Sequence, residues 1–534
     1  MHPPILLLTT PGWSTSEDGS ARAWSPVAGL GPKPAHLSAE ELSKTAGHWA
    51  LVETDGPRVV ISVDKMRSLP IVFTRIDGQW IVADDIESMR ALLPSWEANV
   101  EQARLFDHLG YAVGGETLVA GVHSLEAGQR VTLHPDGTMT RVHYAPYAHT
   151  ARLSTPEEFD AAFAGALDST IDRLLEASGE RQLVVPLSGG LDSRLLLAWL
   201  IKRRAPRILA FTYGRKGSSE TAISRRVAEA LGVEWFSIDL VPEEMRRVWA
   251  SAEGTAFRRA NWRGASLPHI QDWFALRRIR EGSLVDDDAI FLPGHTIVGN
   301  MHDDDRLLAP GVPAAGIAET IARHHACAHG SPDALSGIGA FADAIRSAGR
   351  EAGYDGSPES VLSWVEWFNV RERQAKYINN SMRPYEYFGF TWAAPMLDLE
   401  VWNTWLDGSV ELTRDRKWYA GFTDRIYGEL TRTDAAPEYF DGASNSHGLP
   451  PRAHEALLRG MRLARLDRVL SRYRSIRRML AHPMAFEAFA HPASPVEQAL
   501  YFASGGTSIG LWARLFLENR WGNDAKIVPE CARG

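Results

Sequence analysis

An apolar run at residues 183–187 passes directly into Ser188-Gly189-Gly190-Leu191-Asp192-Ser193, and from there into Arg194-Leu195-Leu196-Leu197-Ala198-Trp199-Leu200. No other stretch limits the fold so tightly. The apolar run reads as a buried parallel strand and the last segment as a helix, with Asp192 or Ser193 at its N-cap. Between them, two glycines let the backbone pack closely, so that amides and hydroxyls converge on one spot. The helix N-terminus adds its partial positive charge there. Such a spot suits a phosphate chain, and Asp192 at its rim is the candidate ligand for an accompanying Mg²⁺. It is not a Walker loop, because Gly-x-x-x-x-Gly-Lys-Ser/Thr does not occur, nor is it the dinucleotide fingerprint.

The surroundings predict a parallel α/β sheet. Residues 207–213 and 233–240 read as strands and 219–231 as the helix between them, giving β-α-β-α-β with right-handed crossovers. Phe291-Leu292-Pro293-Gly294 reads as a further strand end meeting a loop. Beyond about residue 315 the pattern is mainly helical, clearest over 364–388 and 453–480, and residues 433–452 read as a loop or lid. Residues 1–150 instead show short β-type runs (49–52, 59–63, 71–73, 80–83) separated by turn signals such as Asp55-Gly56-Pro57 and Asp77-Gly78. Helical patterning begins with Thr155-Pro156-Glu157-Glu158, a capping box.

With 534 residues the chain can form two or three domains. A net charge of −9 argues against nucleic acid as the main partner. Cys327 and Cys531 give no disulfide framework and fit a reducing compartment. No signal peptide or membrane span is evident, so the expected location is the cytoplasm. His324-His325-Ala326-Cys327-Ala328-His329 lacks the second half of a zinc pattern and reads as a solvated helix face. The runs 286–288 and 303–305, all aspartate, read as solvated loop charges.

Ser188-Gly189-Gly190-Leu191-Asp192-Ser193 resembles the pyrophosphate loop of the asparagine-synthetase-like ATP pyrophosphatases. Other stretches are similar in the same order: Gly47-His48-Trp49-Ala50-Leu51-Val52, Asp64-Lys65-Met66-Arg67-Ser68-Leu69-Pro70, Gly115-Glu116-Thr117-Leu118 and Ala394-Pro395-Met396-Leu397-Asp398. The resemblance implies an N-terminal αββα sandwich of the Ntn type over residues 1–150. A pyrophosphate-loop, parallel-sheet synthetase domain (adenine nucleotide α hydrolase-like) with a helical C-terminal part would cover 151–534. It also implies cleavage of ATP to AMP and pyrophosphate, with Mg²⁺, to activate a carboxylate as its acyl-adenylate. By position it assigns Leu187, Ser188, Gly189, Gly190, Asp192, Ser193, Tyr213, Pro293 and Gly294 to ATP, and Asp192 to the metal. Glu220 falls where an acidic residue is usual.

Three departures matter. Position 2 is His2, where glutamine-using members carry the nucleophilic cysteine, so glutamine hydrolysis is not expected. Relatives without that cysteine, such as β-lactam synthetases and lasso-peptide cyclases, use an amine already on the substrate. In Pro293-Gly294-His295-Thr296-Ile297-Val298-Gly299, His295 takes the catalytic position and Val298 that of the second metal ligand. His295 is either a general base or a loop histidine bonded to backbone, and Val298 cannot bind Mg²⁺. Asp303, Asp304 and Asp305 are the nearest replacements in sequence. Third, the late lysine of the family is absent from residues 436–442, leaving Lys417 and, after it, Lys376 as candidates. The aromatic run from Tyr385 to Trp392 fits either a substrate pocket or core packing.

The resulting expectation is an ATP-dependent carbon–nitrogen ligase that joins a carboxylate to an amine. A lasso-type peptide macrolactam cyclase, its peptide delivered by partner maturation proteins, leads. An enzyme amidating an amino acid or sugar acid with ammonia or another amine is the rival, and a weakened binding or scaffold protein is the non-enzymatic alternative.

Overall fold

The computed structural model describes residues 3–145, 147–299, 307–309, 311–326, 335, 338–432, 439, 493–504, 506–522 and 526–530. The expected helix at 453–480 lies outside them, as do His2, Asp303 to Asp305, Cys327, His329, Cys531 and nearly all of the 433–452 loop.

Among the described residues ten strands precede residue 145. Strands β1 (Ile5–Leu7), β6 (Val72–Ile76), β7 (Gln79–Ala83) and β8 (His123–Ser124) form a four-stranded sheet in the order β1-β7-β6-β8. The others, β2 (Trp13–Thr15), β3 (Ala21–Trp24), β4 (Ala50–Asp55), β5 (Arg58–Val63), β9 (Gln129–Leu133) and β10 (Met139–His143), form a six-stranded antiparallel sheet in the order β10-β9-β5-β4-β3-β2. Period-two alternation places the residues. Trp24, Ala50 and Val52 join the core that also takes in Phe73 and Val82 of the smaller sheet. Ala23 and Leu51 face the opposite way, toward Trp49, Tyr144 and Leu42 of the short helix Ala39–Ser43. The β6–β7 hairpin turns on Asp77 and Gly78 with φ of 49° and 80°, the paired positive values that suit strand twist.

The expected parallel sheet follows. Strands β11 (Leu183–Pro186), β12 (Ile208–Gly214), β13 (Glu234–Asp239), β14 (Ile290–Phe291) and β15 (Thr391–Trp392) lie in the order β13-β12-β11-β14-β15, all parallel. The chain steps outward from β11 to β13, then returns to the other side of β11 as β14. The gap beyond the carboxyl ends of β11 and β14 is therefore the topological switch point, where sheets of this kind bind ligands.

The helix Asp192–Lys202 is buried at every residue from Ser193 to Leu200. A helix apolar on all sides must be packed on all sides. Trp199 stacks on Phe422 of the helix Lys417–Thr431 at 5.8 Å and donates Nε1–H to Asp168 on the helix Pro156–Ser178 at 3.0 Å. That last helix starts as its sequence requires: Thr155 Oγ1 accepts the Glu158 amide at 3.3 Å, and Pro156 follows the cap. Only half of the capping box forms, because the Glu158 carboxylate takes the Thr155 hydroxyl and not its amide.

Residues 364–388 are helical as expected, but in four pieces: the α-helix Pro358–Asn369, a π-helix Val370–Ile378, a 3₁₀ turn Asn379–Met382 and the α-helix Arg383–Tyr387. The histidine run corrects the solvated-face expectation. His325, at the end of the helix Ala314–His325, is buried, and its Nδ1 lies 2.9 Å from the Tyr111 hydroxyl. The aspartates at 286–288 are loop charges paired with arginines, as in Arg207–Asp286 and Arg280–Asp287. No described helix is long and apolar enough to cross a membrane.

Candidate active site

The loop leaving β11 is held by its own side chains. Leu187 donates its amide to Phe211 O at 2.7 Å, and Ser224 caps the Leu187 carbonyl at 2.7 Å. Ser193 does not act as an N-cap, and neither does Asp192. The cap position is Leu191, with no side-chain bond, and Asp192 is the first helical residue. The Ser193 hydroxyl instead turns back into the loop, accepting the Ser188 amide at 3.1 Å and meeting Ser188 Oγ at 3.0 Å. Gly190 donates to Ser188 Oγ at 3.3 Å, and Gly189 points its amide at Glu220 Oε1 at 3.4 Å. Glu220 thus belongs to the loop's support. Burial pushes its carboxyl above the ordinary range.

A cleft opens at the switch point. Its walls include Leu187, Ser188, Asp192, Ser193, Tyr213, Pro293, Gly294 and His295, together with Glu220, Asp272 and Tyr385. Gly189 and Gly190 form the turn behind this wall and are not part of it. Gly294 is where the two loops touch: a Cβ there would lie 2.7 Å from Ser193 N and 2.9 Å from its Cα. Tyr385 packs on Phe291 at 4.9 Å and also lines the cleft, so the aromatic run serves core and pocket at once.

His295 sits at the junction. Its Nε2 approaches Ser381 Oγ at 3.5 Å, and its Nδ1 is buried without a hydrogen-bond partner among the described residues. Burial pushes its pKa down to about 4, although Asp272 acts in the opposite direction. A base poised near neutrality is therefore not what the fold provides. It provides a neutral imidazole whose two nitrogens are not committed to backbone. Behind it, Asp272 accepts the Tyr213 hydroxyl and lies 3.7 Å from His269, whose pKa burial also lowers to about 4.

The expected lysines are elsewhere. Lys417 is exposed and pairs with Asp415 at 2.6 Å. Lys376 is fully buried, giving its protons to Ala112 O, Gly114 O and Glu372. Among the described residues the cation that faces the site is Arg416, which is hydrogen-bonded to Asp192. Sequence reasoning missed it by one residue. Arg414-Asp415-Arg416-Lys417 contains three cations, and only the start of the helix at Lys417 decides which one turns inward. Asp272 and Glu366 carried no local signal at all.

For Mg²⁺, Asp192 is one carboxylate at the cleft, and its Oδ1 is taken by Arg416. Burial raises its pKa while Arg416 and Tyr419 act to lower it. Val298 is buried and offers no ligand. Among the described residues no group of three or more His, Cys, Asp or Glu side chains could hold a metal. Among the described residues Asp192 is thus a carboxylate that could contact a metal arriving on phosphates, while Asp303 to Asp305 lie outside them.

On the far side of Asp192, Gly294 and His295 lies a second cleft. It is lined by these three together with Thr296 to Gly299, Arg416, Glu366 and Asn369, and by the π-helix residues Val370, Gln374 and Ile378. The two clefts share a wall and meet at His295.

Residues 162–256 match the family described as Asparagine synthase. No curated protein matches the chain. Among solved structures, similarity extends to the U34-tRNA thiolase NcsA from Methanococcus maripaludis (13% identity, 55% of this chain and 86% of that one, TM-score 0.20). It extends also to a predicted subunit of tRNA methyltransferase from Methanocaldococcus jannaschii (15%, 34% and 92%, TM-score 0.14). A third is the glutamine phosphoribosylpyrophosphate amidotransferase from B. subtilis (11%, 50% and 54%, TM-score 0.15). At these TM-scores none of the three carries weight in the assignment. The matched segment holds β11, β12, β13 and the loop between β11 and its helix, whereas Pro293 to His295 lie beyond it. Through residues 162–256 the chain is asparagine-synthetase-like.

Proposed function

We propose that this chain is an ATP-dependent amide-forming ligase that activates a carboxylate as its acyl-adenylate, releases pyrophosphate, and passes the acyl group to an amine without hydrolysing glutamine. The observation that carries the reading is the convergence of Leu187, Ser188, Asp192, Ser193, Tyr213, Pro293 and Gly294 on one cleft at the switch point of a parallel sheet. In this reading the start of the helix Asp192–Lys202 and the hydroxyls of Ser188 and Ser193 receive the β- and γ-phosphates, and the Gly189 and Gly190 amides exchange Glu220 Oε1 and Ser188 Oγ for phosphate oxygens. Arg416, in place of Lys417, supplies the mobile positive charge and leaves Asp192 for the phosphates as they enter. A Mg²⁺ carried by the nucleotide would contact Asp192 and neutralise phosphate charge. His295, neutral at pH 7, stands between the clefts, where it can accept a hydrogen bond from the attacking amine. Holding amine and activated carbonyl side by side supplies much of the rate.

Among substrates, we favour a linear peptide closed to a lasso-type macrolactam, consistent with His2 in place of a cysteine and with the retained N-terminal β-sheet region. Amidation of an amino acid or sugar acid is the rival. Two cysteines in 534 residues fit work in the cytoplasm. A non-catalytic scaffold is the second reading, favoured by Val298 at the lost ligand position.

Calorimetric titration with ATP, with and without Mg²⁺, tests the reading. Native protein should bind in a Mg²⁺-dependent manner. Asp192→Ala and Arg416→Met should each weaken binding by about tenfold or more, and Lys417→Met should leave it unchanged. Failure of the native protein to bind nucleotide, alone or with candidate carboxylates, would transfer the case to the scaffold.

A further inference from the structure

The second cleft ends on a carboxylate that is only half used. Glu366, on the helix Pro358–Asn369, is 2% exposed. Its Oε2 accepts the Tyr147 hydroxyl at 2.7 Å, faces His149 Nε2 at 2.7 Å and lies 3.4 Å from Trp405 Nε1. Its Oε1 is buried and has no hydrogen-bond partner among the described residues. One turn further along, Asn369 Oδ1 is likewise buried and unpartnered. Both residues line the cleft, and so does Gly299, where any Cβ would run into Glu366 Oε1. Only a residue without a side chain at 299 leaves that oxygen its place against the backbone of the cleft wall.

Leaving a buried carboxylate oxygen unpaired costs free energy unless a ligand completes it. A fold that fixes Oε2 with three donors and holds Oε1 bare is built to receive a donor, and two free acceptors select a cation over an anion. The wall changes from α- to π-helix just after Asn369, a geometry frequent at functional sites. Met66, Ile297, Val298 and Val370 give the cleft an apolar lining suited to a carbon stem.

We propose that this cleft binds the amine partner of the ligation through its ammonium head, with Glu366 Oε1 and Asn369 Oδ1 as the acceptors. The assignment to a ligation rests on the function proposed above, but the ammonium site itself stands on Glu366, Asn369 and Gly299. Before its nitrogen can attack, the ammonium must give up a proton, for which Glu366 Oε1 is the acceptor at hand, and the free amine then turns toward His295, which lines the same cleft.

The test uses the full chain without nucleotide and n-butylamine, cationic at pH 7, as the probe, with n-butanol as its neutral counterpart. Saturation-transfer NMR should detect n-butylamine on the native protein and n-butanol weakly or not at all. Glu366→Gln should weaken n-butylamine by about tenfold or more, and Gly299→Ala should block it while keeping the charge. Asn369→Ala, outside the Tyr147–His149 network, should weaken it about threefold or more and serves if Glu366→Gln does not fold, as judged by circular dichroism. Absence of n-butylamine binding to native protein, or equal binding by native protein and the folded variants, overturns the inference. ATP calorimetry on the same samples separates the two claims. Nucleotide binding without ammonium binding sinks this site alone, and ammonium binding without nucleotide binding sinks the ligase reading alone.

Discussion

His295 and His269 both flank Asp272, and both are held neutral by burial. With folded pKa values of about 4 against 6.5 for the free side chain, each binds fewer protons folded than unfolded between those limits. The unfolded chain therefore gains protons as pH falls. Each histidine contributes stability that is complete above about pH 6.5 and is lost as pH drops toward 4, at about 2 kcal/mol between pH 7 and pH 5. Burial raises Asp192, Asp272 and Glu220, which pull the other way, so total stability does not isolate the effect. The difference between native protein and His269→Asn/His295→Asn does. Urea midpoints at pH 5 and pH 7 should show the native protein losing more stability on acidification than the double variant. Equal losses would mean that neither imidazole is held neutral by the fold.

At the scale of elements, the active cleft depends on two loops from neighbouring strands approaching at van der Waals distance. Gly294 meets the backbone of Ser193, which cannot yield without moving the start of the helix Asp192–Lys202. Gly294→Ala should cost about 1–3 kcal/mol by overpacking and weaken nucleotide binding as well, because Ser193 is the loop's internal anchor. Thermal melts and calorimetry on the same sample would read both, and a variant unchanged in both would show that the loops are free to part. The strand, loop and helix here were legible because apolar run, glycine pair and helical pattern agree in one short window. The N-cap was not: Asp192 and Ser193 have the right chemistry, but Arg416, distant in sequence, claims one, and Ser188, within the same loop, claims the other. Strands at residues 50–83 could be read from alternation and turn residues, while the π-helix Val370–Ile378 could not, since its composition is that of any helix. Lys417 and Arg416 illustrate the same limit, because helix phase selects between adjacent cations and sequence spacing does not.

Across the whole molecule, the proposed division at residue 150 is crossed by buried polar contacts. Lys376 reaches from the π-helix to the carbonyls of Ala112 and Gly114 at 2.8 Å each, and Glu372 accepts the Gly114 amide at 3.1 Å. Arg371 joins Glu126 at 3.3 Å to Glu351 at 2.8 Å. Gly47 donates to Asp398 at 2.8 Å, and Arg383 to Ser68 O at 2.6 Å. Glu366, the carboxylate of the amine cleft, is itself oriented by Tyr147 and His149 from the N-terminal side of the division. The N-terminal region is thus part of the wall that shapes the second cleft. Buried charges of this kind stabilise little when complete and cost heavily when broken. Lys376→Met should destabilise the chain by about 3–5 kcal/mol, since it leaves the buried carbonyls of Ala112 and Gly114 without their donor and Glu372 with Arg371 as its remaining cation. The loss should fall on both regions together: hydrogen exchange in β4 and in β11 should accelerate to the same extent, with one urea transition for the whole chain. Faster exchange in β4 alone, or two separate transitions, would show that the regions fold independently and that the clefts do not need the N-terminal sheets to hold their shape.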